Sequence, residues 1–357
     1  MLRLKKRKQK AGALLGEGKS GCTFSPAPKC ADGSRFAEGS VAKLVREDFR
    51  EELSLGRMIM ALPAASAYFA APVNSCKPTE PINDPDESKC RHLTEAEEIS
   101  VGPLTLLEMP NAGITLELFT RNLPALIVNY KRIFIHLLEG AIVLHSAGFV
   151  HNDIHSSNIM VDRLGVARLI DFGRAFKVSR VRSWDDVELS QRFDPKFIQH
   201  SPEIQAWTML RAGLPALTGI NEVFSKNERD FTTLQRRFPH RIPLETTMLE
   251  FIRTDPLLES RYRAIRAGDK QKAHSIGGDF IRKWGPGFDC WRLGLAMFWI
   301  WEERMMVWMR FKETSLFRED RDRIYRTLEG LTEFDPNKRS SMKKALSILD
   351  PGNRMSD

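Results

Sequence analysis

The sequence has no long uninterrupted apolar run. Its most apolar stretch, Leu293–Phe311, is broken by Glu302, Glu303 and Arg304. A bilayer-spanning helix needs about 20 mostly apolar residues, so this stretch is expected to be a core helix and no membrane span is expected. Acid is missing from residues 1–10, which carry six Lys or Arg. No apolar segment follows them, which excludes a secretory signal. They read as part of a disordered basic tail, 1–12, suited to contact with nucleic acid or an acidic surface. Cysteine is scarce. Five in 357 residues, an odd number, argue for a reducing compartment rather than a disulfide framework. Cys22, Cys30, Cys76 and Cys90 fall in the N-terminal third at spacings that match no familiar zinc pattern. They are expected to be separate thiols, the alternatives being a zinc site (with or without His92) or a redox pair between Cys22 and Cys30.

What is present is ordinary for a globular chain. Apolar residues make up 42% and charged residues 28%, with a net charge of +8. The length can hold about two structural domains, and with this composition disorder is not the default expectation.

The most informative stretch is His151–Gly173, HNDIHSSNIMVDRLGVARLIDFG. Two short apolar runs, Ile159–Val161 and Val166–Ile170, flank the turn-forming Asp162-Arg163-Leu164-Gly165, so a tight hairpin is expected. It brings Asn158 and Asp171 together at its open end, facing Asp153. A carboxylate and an amide oxygen suit a hard cation, and a second carboxylate can orient an attacking hydroxyl. The stretch resembles the catalytic loop and the Asp-Phe-Gly loop of protein kinases.

Other segments extend the resemblance over about Leu14 to Leu349. Gly16-Glu17-Gly18-Lys19-Ser20-Gly21 has glycines that let backbone N–H groups approach phosphates. Lys43 lies in the apolar run Ser40–Val45, and a helix is expected over Arg46–Leu62, with Glu52 on its inward face as the carboxylate partner and Glu51 as the alternative. Pro72–His92, rich in Pro, Asp, Glu, Lys and Ser, reads as an exposed inserted loop. A clear helix runs over Pro124–Ser146. Ser201-Pro202-Glu203, Asp289 in Gly287–Gly294 and Arg339 in Phe334–Ser340 resemble the late kinase segments, with Asp289 opening a buried helix.

The resemblance implies an α+β, bilobal protein-kinase-like fold. It has a small β-rich N-lobe (13–110, with the insertion at about 72–92) and a larger, mainly helical C-lobe (111–349, with an insertion at about 205–285), followed by a tail, 350–357. It implies ATP and Mg2+ as cofactors. Leu15, Gly16, Glu17, Gly18, Lys19, Ser20, Gly21, Thr23, Val41 and Lys43 would bind the nucleotide, with Leu107 as gatekeeper and backbone groups near Glu108 and Met109 on the adenine edge. Asn158 and Asp171 would hold the metal, and Asp153 would act as base, supported by Lys43, Glu52, His155 and Asn158. Phe172, Gly173, Glu203, Asp289 and Arg339 would be structural, the last pairing with Glu203. The implied substrates are protein Ser/Thr hydroxyls. A kinase-fold enzyme acting on small molecules and a pseudokinase scaffold are the alternatives. Among the departures from the family, which include Thr23 where a Val is usual, two substitutions matter. Asn152 stands where an Arg usually grips a phosphorylated activation loop, which implies activity independent of that phosphate. His155 stands where Ser/Thr kinases place a Lys. The pattern is similar to Ser/Thr kinases of large nucleocytoplasmic DNA viruses, which implies the cytoplasm or nucleus of a host cell and, for some members, packaging in a virion.

Overall fold

The computed structural model describes residues 13–18, 21–45, 49–79, 90, 104–187, 194–306 and 315–356. The basic tail, Lys19, Ser20, His92 and most of the expected 72–92 insertion lie outside them. The chain divides into two compact units, Met1–Gly113 and Ile114–Asp357. The class is α+β: the first unit is built on a sheet, and the second is larger and mostly helical.

The sheet of the first unit contains β1 (Ala13–Gly18), β2 (Gly21–Ser25), β3 (Ser40–Val45), β4 (Asn74–Cys76) and β5 (Thr105–Pro110), in the order β1-β2-β3-β5-β4. Alternation sorts its side chains. Cys22, Phe24, Ala42, Leu44 and Leu106 form a buried apolar cluster on one face. The register pairs Thr23 with Lys43 and Lys43 with Leu107, and Val41 with Met109, so these five share the other face. At Gly21 (φ +153°) a Cβ would run into the Leu44 carbonyl, so only glycine fits. The helix α1 covers Arg50–Met60 and buries Leu53, Leu55, Gly56 and Ile59. It is shorter than the expected Arg46–Leu62; residues 46–48 lie outside the described set.

Two expectations are overturned here. The four N-terminal cysteines are paired, Cys22 with Cys90 and Cys30 with Cys76, at Cα separations of 6.1 and 5.7 Å. They are neither separate thiols nor zinc ligands nor a Cys22–Cys30 pair, and the odd-count argument for a reducing compartment fails; among the described residues only Cys290 is a free thiol. Spacing along the chain does not report which strands lie side by side. Nor does an exposed loop start at Pro72. Val73 donates to the Glu108 carbonyl, Asn74–Cys76 pairs with β5, and Pro78 bridges to Cys30. The Pro- and acid-rich composition of 72–92 hid the short edge strand at its start. Because each cross-link closes a long loop, Cys30→Ser is expected to lower stability by about 2–4 kcal/mol. Denaturant melts of the variant and of wild type with and without reductant check this; coincident curves refute a stabilising cross-link.

The second unit is organised by two long helices. Leu123–Ser146 starts at an Asn122 cap, with Pro124 in its first turn, and ends before Gly148 in the left-handed region (φ +77°). Tyr130 Oη ties it to the other, donating to Met297 O at 2.8 Å. That helix spans Lys270–Ile300. Asp289 thus sits inside it rather than at its start. The Gly285-Pro286-Gly287 run reads as a break, but Ile276, Phe280, Ile281, Trp284 and Phe288 make one buried face that carries the helix through it. The expected 205–285 insertion is helical, with Ala216–Lys226, Glu228–Arg237, Leu244–Thr254 and Pro256–Arg266 preceding the long helix. Among the described residues no helix is long and apolar enough to cross a membrane.

Candidate active site

In the first unit Lys43 Nζ donates to Glu52 Oε1 at 2.9 Å, both side chains nearly buried. Glu52 lies in the first turn of α1, where the helix dipole favours a carboxylate, and Glu51 is exposed. An aliphatic strand would leave a Lys to snorkel outward; the carboxylate keeps this one in place. Thr23, Val41, Leu107 and Met109 share its face of the sheet. Glu108 does not join them. Its carboxylate accepts from Ala37 N (2.7 Å) and Ser40 Oγ (3.1 Å), and its carbonyl accepts from Val73 N (3.0 Å). That carbonyl is already engaged inside the sheet, so it is not open to an adenine edge. Gly16, Glu17 and Gly18 lie in β1 and Leu15 is an exposed strand residue.

The loop of the second unit that carries Asp153 is held by a buried carboxylate. The Asp289 carboxylate is fully buried and accepts from the backbone N–H of His151 and Asn152, both at 2.8 Å, and from His145 Nε2 at 3.0 Å. Burial alone would raise its pKa, but the His145 hydrogen bond and charge and the His151 contacts hold it below the usual carboxylate range. With both amides turned inward, Asn152 adopts a left-handed backbone (φ +60°), a conformation that costs of order 1 kcal/mol or more for a non-glycine. The next residue, Asp153, is thereby presented outward.

Asp153 and Asn158 are joined directly: Asn158 Nδ2 donates to Asp153 O (3.0 Å) and Oδ2 (3.2 Å). This directs the amide nitrogen at Asp153 and leaves Oδ1 as the Asn158 atom suited to a cation. The hairpin forms as expected: β6 (Ile159–Val161) pairs with β7 (Ala167–Leu169), and Ile170 N donates to Asn158 O at 3.0 Å. Asp171 therefore follows immediately beside Asn158, in a left-handed conformation (φ +59°). A carboxylate and an amide oxygen at one hairpin end are the hard oxygen donors that Mg2+ takes, usually with waters and phosphate completing its shell. Phe172 is buried against the His151 ring at 4.7 Å, and Gly173 lies in the same short turn.

His155 Nε2 lies 3.9 Å from Asp153 Oδ2. Burial pulls its pKa below the ordinary value while Asp153 pulls it up, leaving a net decrease, so the ring is neutral at pH 7. Glu203 and Arg339 are 2.5 Å apart and almost wholly buried. Sequence reasoning missed His145, Arg174 and Arg292. Arg174 follows Asp-Phe-Gly directly and its Nη1 lies 3.5 Å from Asp153 Oδ1; Arg292 Nη1 lies 3.9 Å from the same oxygen. Their adjacency to motif residues was the available signal.

Residues 102–249 match the family model described as protein kinase domain. The chain is 34% identical over 111 residues to a cell division control protein 2 homolog 2 of Trypanosoma brucei brucei, covering 27% of this chain and 32% of that one. It is 32% identical over 90 residues to mitogen-activated protein kinase kinase kinase 5 of Arabidopsis thaliana (25% and 12%). It is 31% identical over 70 residues to a probable serine/threonine-protein kinase of Dictyostelium discoideum (20% and 4%). The chain spans about a third or less of the length of these curated relatives. These likenesses are to a protein kinase domain and to protein kinases, and the family-model match covers less than half of the chain.

Proposed function

We propose that this protein is an ATP- and Mg-dependent protein kinase that transfers the γ-phosphoryl group of ATP to Ser or Thr hydroxyls of protein substrates. The observation that carries the reading is the fixed group Asp153–Asn158–Asp171, set on a loop whose backbone is clamped by buried Asp289. Phosphoryl transfer is mostly positioning and charge neutralisation, and each residue has a part in one or the other. Lys43, held by Glu52, grips the α- and β-phosphates. Asn158 Oδ1 and the Asp171 carboxylate hold the metal, which neutralises charge on the phosphate oxygens when bound. Asp153 orients the substrate hydroxyl and accepts its proton as the oxygen bonds to the γ-phosphorus and the bond to the bridging oxygen of ADP breaks. The neutral Asn152 makes the rate independent of an activation-loop phosphate.

The test is transfer of label from radiolabelled ATP to casein or a basic protein, compared with Asp153→Asn. A neutral His155 donates one hydrogen bond instead of a fixed charge. His155→Ala is expected to lower kcat about tenfold with a smaller change in KM, and His155→Lys to keep turnover. Equal kcat in His155→Ala and wild type removes the residue from the reaction.

A further inference from the structure

We propose that Arg292 is a positioning residue for Asp153, a buried guanidinium that fixes both the base and the end of the activation segment from within the long helix. The catalytic part of this inference rests on the kinase reading above; the anchoring part does not.

Arg292 is 1% exposed. An isolated buried charge costs several kcal/mol, so a buried Arg needs compensating partners. Two are present. Its Nε donates to Gln199 O at 3.1 Å, directly beside Trp291 Nε1 on Ile198 O at 3.0 Å. Consecutive helix residues thus grip consecutive carbonyls of the segment that leads into Ser201-Pro202-Glu203. The second partner is Asp153, whose Oδ1 lies 3.9 Å from Arg292 Nη1, an atom without a hydrogen-bond partner among the described residues. Arg174 Nη1 approaches the same Oδ1 at 3.5 Å.

The two oxygens of Asp153 are therefore divided. Oδ1 faces two guanidinium groups, and Oδ2 faces Asn158 and His155. Opposed attractions on the two oxygens select one side-chain rotamer, which is what an orienting base requires. Burial lowers the Arg292 pKa to about 10, leaving it charged at neutral pH. His200, next to Gln199, is pushed to about 3 by burial and by the Arg292 and Arg174 charges. It is neutral there, so the cationic charge on this side of Asp153 comes from the arginines. The position before the base carries no charge in this chain, Asn152 being neutral; the cation arrives from another element.

The test uses the full chain with Arg292→Met and Arg292→Lys, read by amide hydrogen exchange over residues 197–201 and by steady-state kinetics. Arg292→Met is expected to speed exchange there at least about tenfold and to lower kcat about 30-fold with KM within about twofold. Arg292→Lys is expected to recover most of both. Wild-type exchange and kcat in Arg292→Met overturn the proposal, as does equal impairment of the Lys and Met variants. If Arg292→Met does not fold, Arg174→Met, at a partly exposed site, tests the counter-charge on Oδ1. A severalfold loss of kcat supports it and an unchanged kcat overturns it. A wild-type chain with no Asp153-dependent transfer defeats the kinase reading, while the exchange measurement still decides whether Arg292 anchors the segment.

Discussion

Asp153→Asn is expected to lower phosphoryl transfer by about 10³-fold while the protein stays folded. Proton transfer by a positioned side chain is worth typically 10²–10⁴-fold, and the amide cannot accept the hydroxyl proton at neutral pH. The substitution keeps the shape of the side chain and an oxygen that can face Asn158 Nδ2. It removes the anion opposite Arg174 and Arg292. Because Arg292 is buried, some stability is lost as well, so a thermal melt must accompany the assay. Wild type and variant are incubated with radiolabelled ATP and casein, with a basic protein, and with no added protein. Label on protein that disappears in the variant supports the proposed reaction. Label appearing only on small molecules, or an equal rate in the variant, refutes it.

Breaking the Glu203–Arg339 pair is expected to cost about 3–5 kcal/mol, because removal of either partner strands a charge in the interior. Both side chains are at most 2% exposed. Arg339 has further attachments: its Nε donates to Glu333 O (2.9 Å), and its guanidinium lies over the Trp291 ring at 5.3 Å. Yet Glu203 Oε2 and Arg339 Nη2 lack hydrogen-bond partners among the described residues. An incompletely satisfied buried pair gains less from its own attraction, so replacing both members by Met is expected to cost less than either single change to Ala. Denaturant unfolding of wild type, Glu203→Ala, Arg339→Ala and the double Met variant forms the comparison. Single variants within about 1 kcal/mol of wild type would mean that the pair behaves like a surface contact.

How much of this was readable beforehand depended on whether neighbours in space were also neighbours in sequence. The hairpin between Asn158 and Asp171 was legible because two apolar runs and a turn encode it within one short segment. The Lys43–Glu52 contact was legible from helical periodicity. The cysteine partners were not, since Cys22 meets Cys90 only once the sheet has stacked its strands. The start of the long helix at Lys270 was hidden by Gly285, Pro286 and Gly287, whose local preference yields to a buried face. Arg292 was marked only by its place in the segment that holds Asp289. Its role depends on the packing of one helix beneath a loop far away in the chain.

The Asp289 clamp has a consequence for the order in which the chain can be completed. Its carboxylate serves amides 138 and 137 positions earlier. Contacts this distant in sequence form late, because the intervening loop must close before they stabilise anything. During synthesis the loop bearing Asp153 therefore waits for the helix containing Asp289 to emerge and dock. A nascent or truncated chain ending before that helix holds every residue of the His151–Gly173 stretch and still lacks the acceptor that orders it.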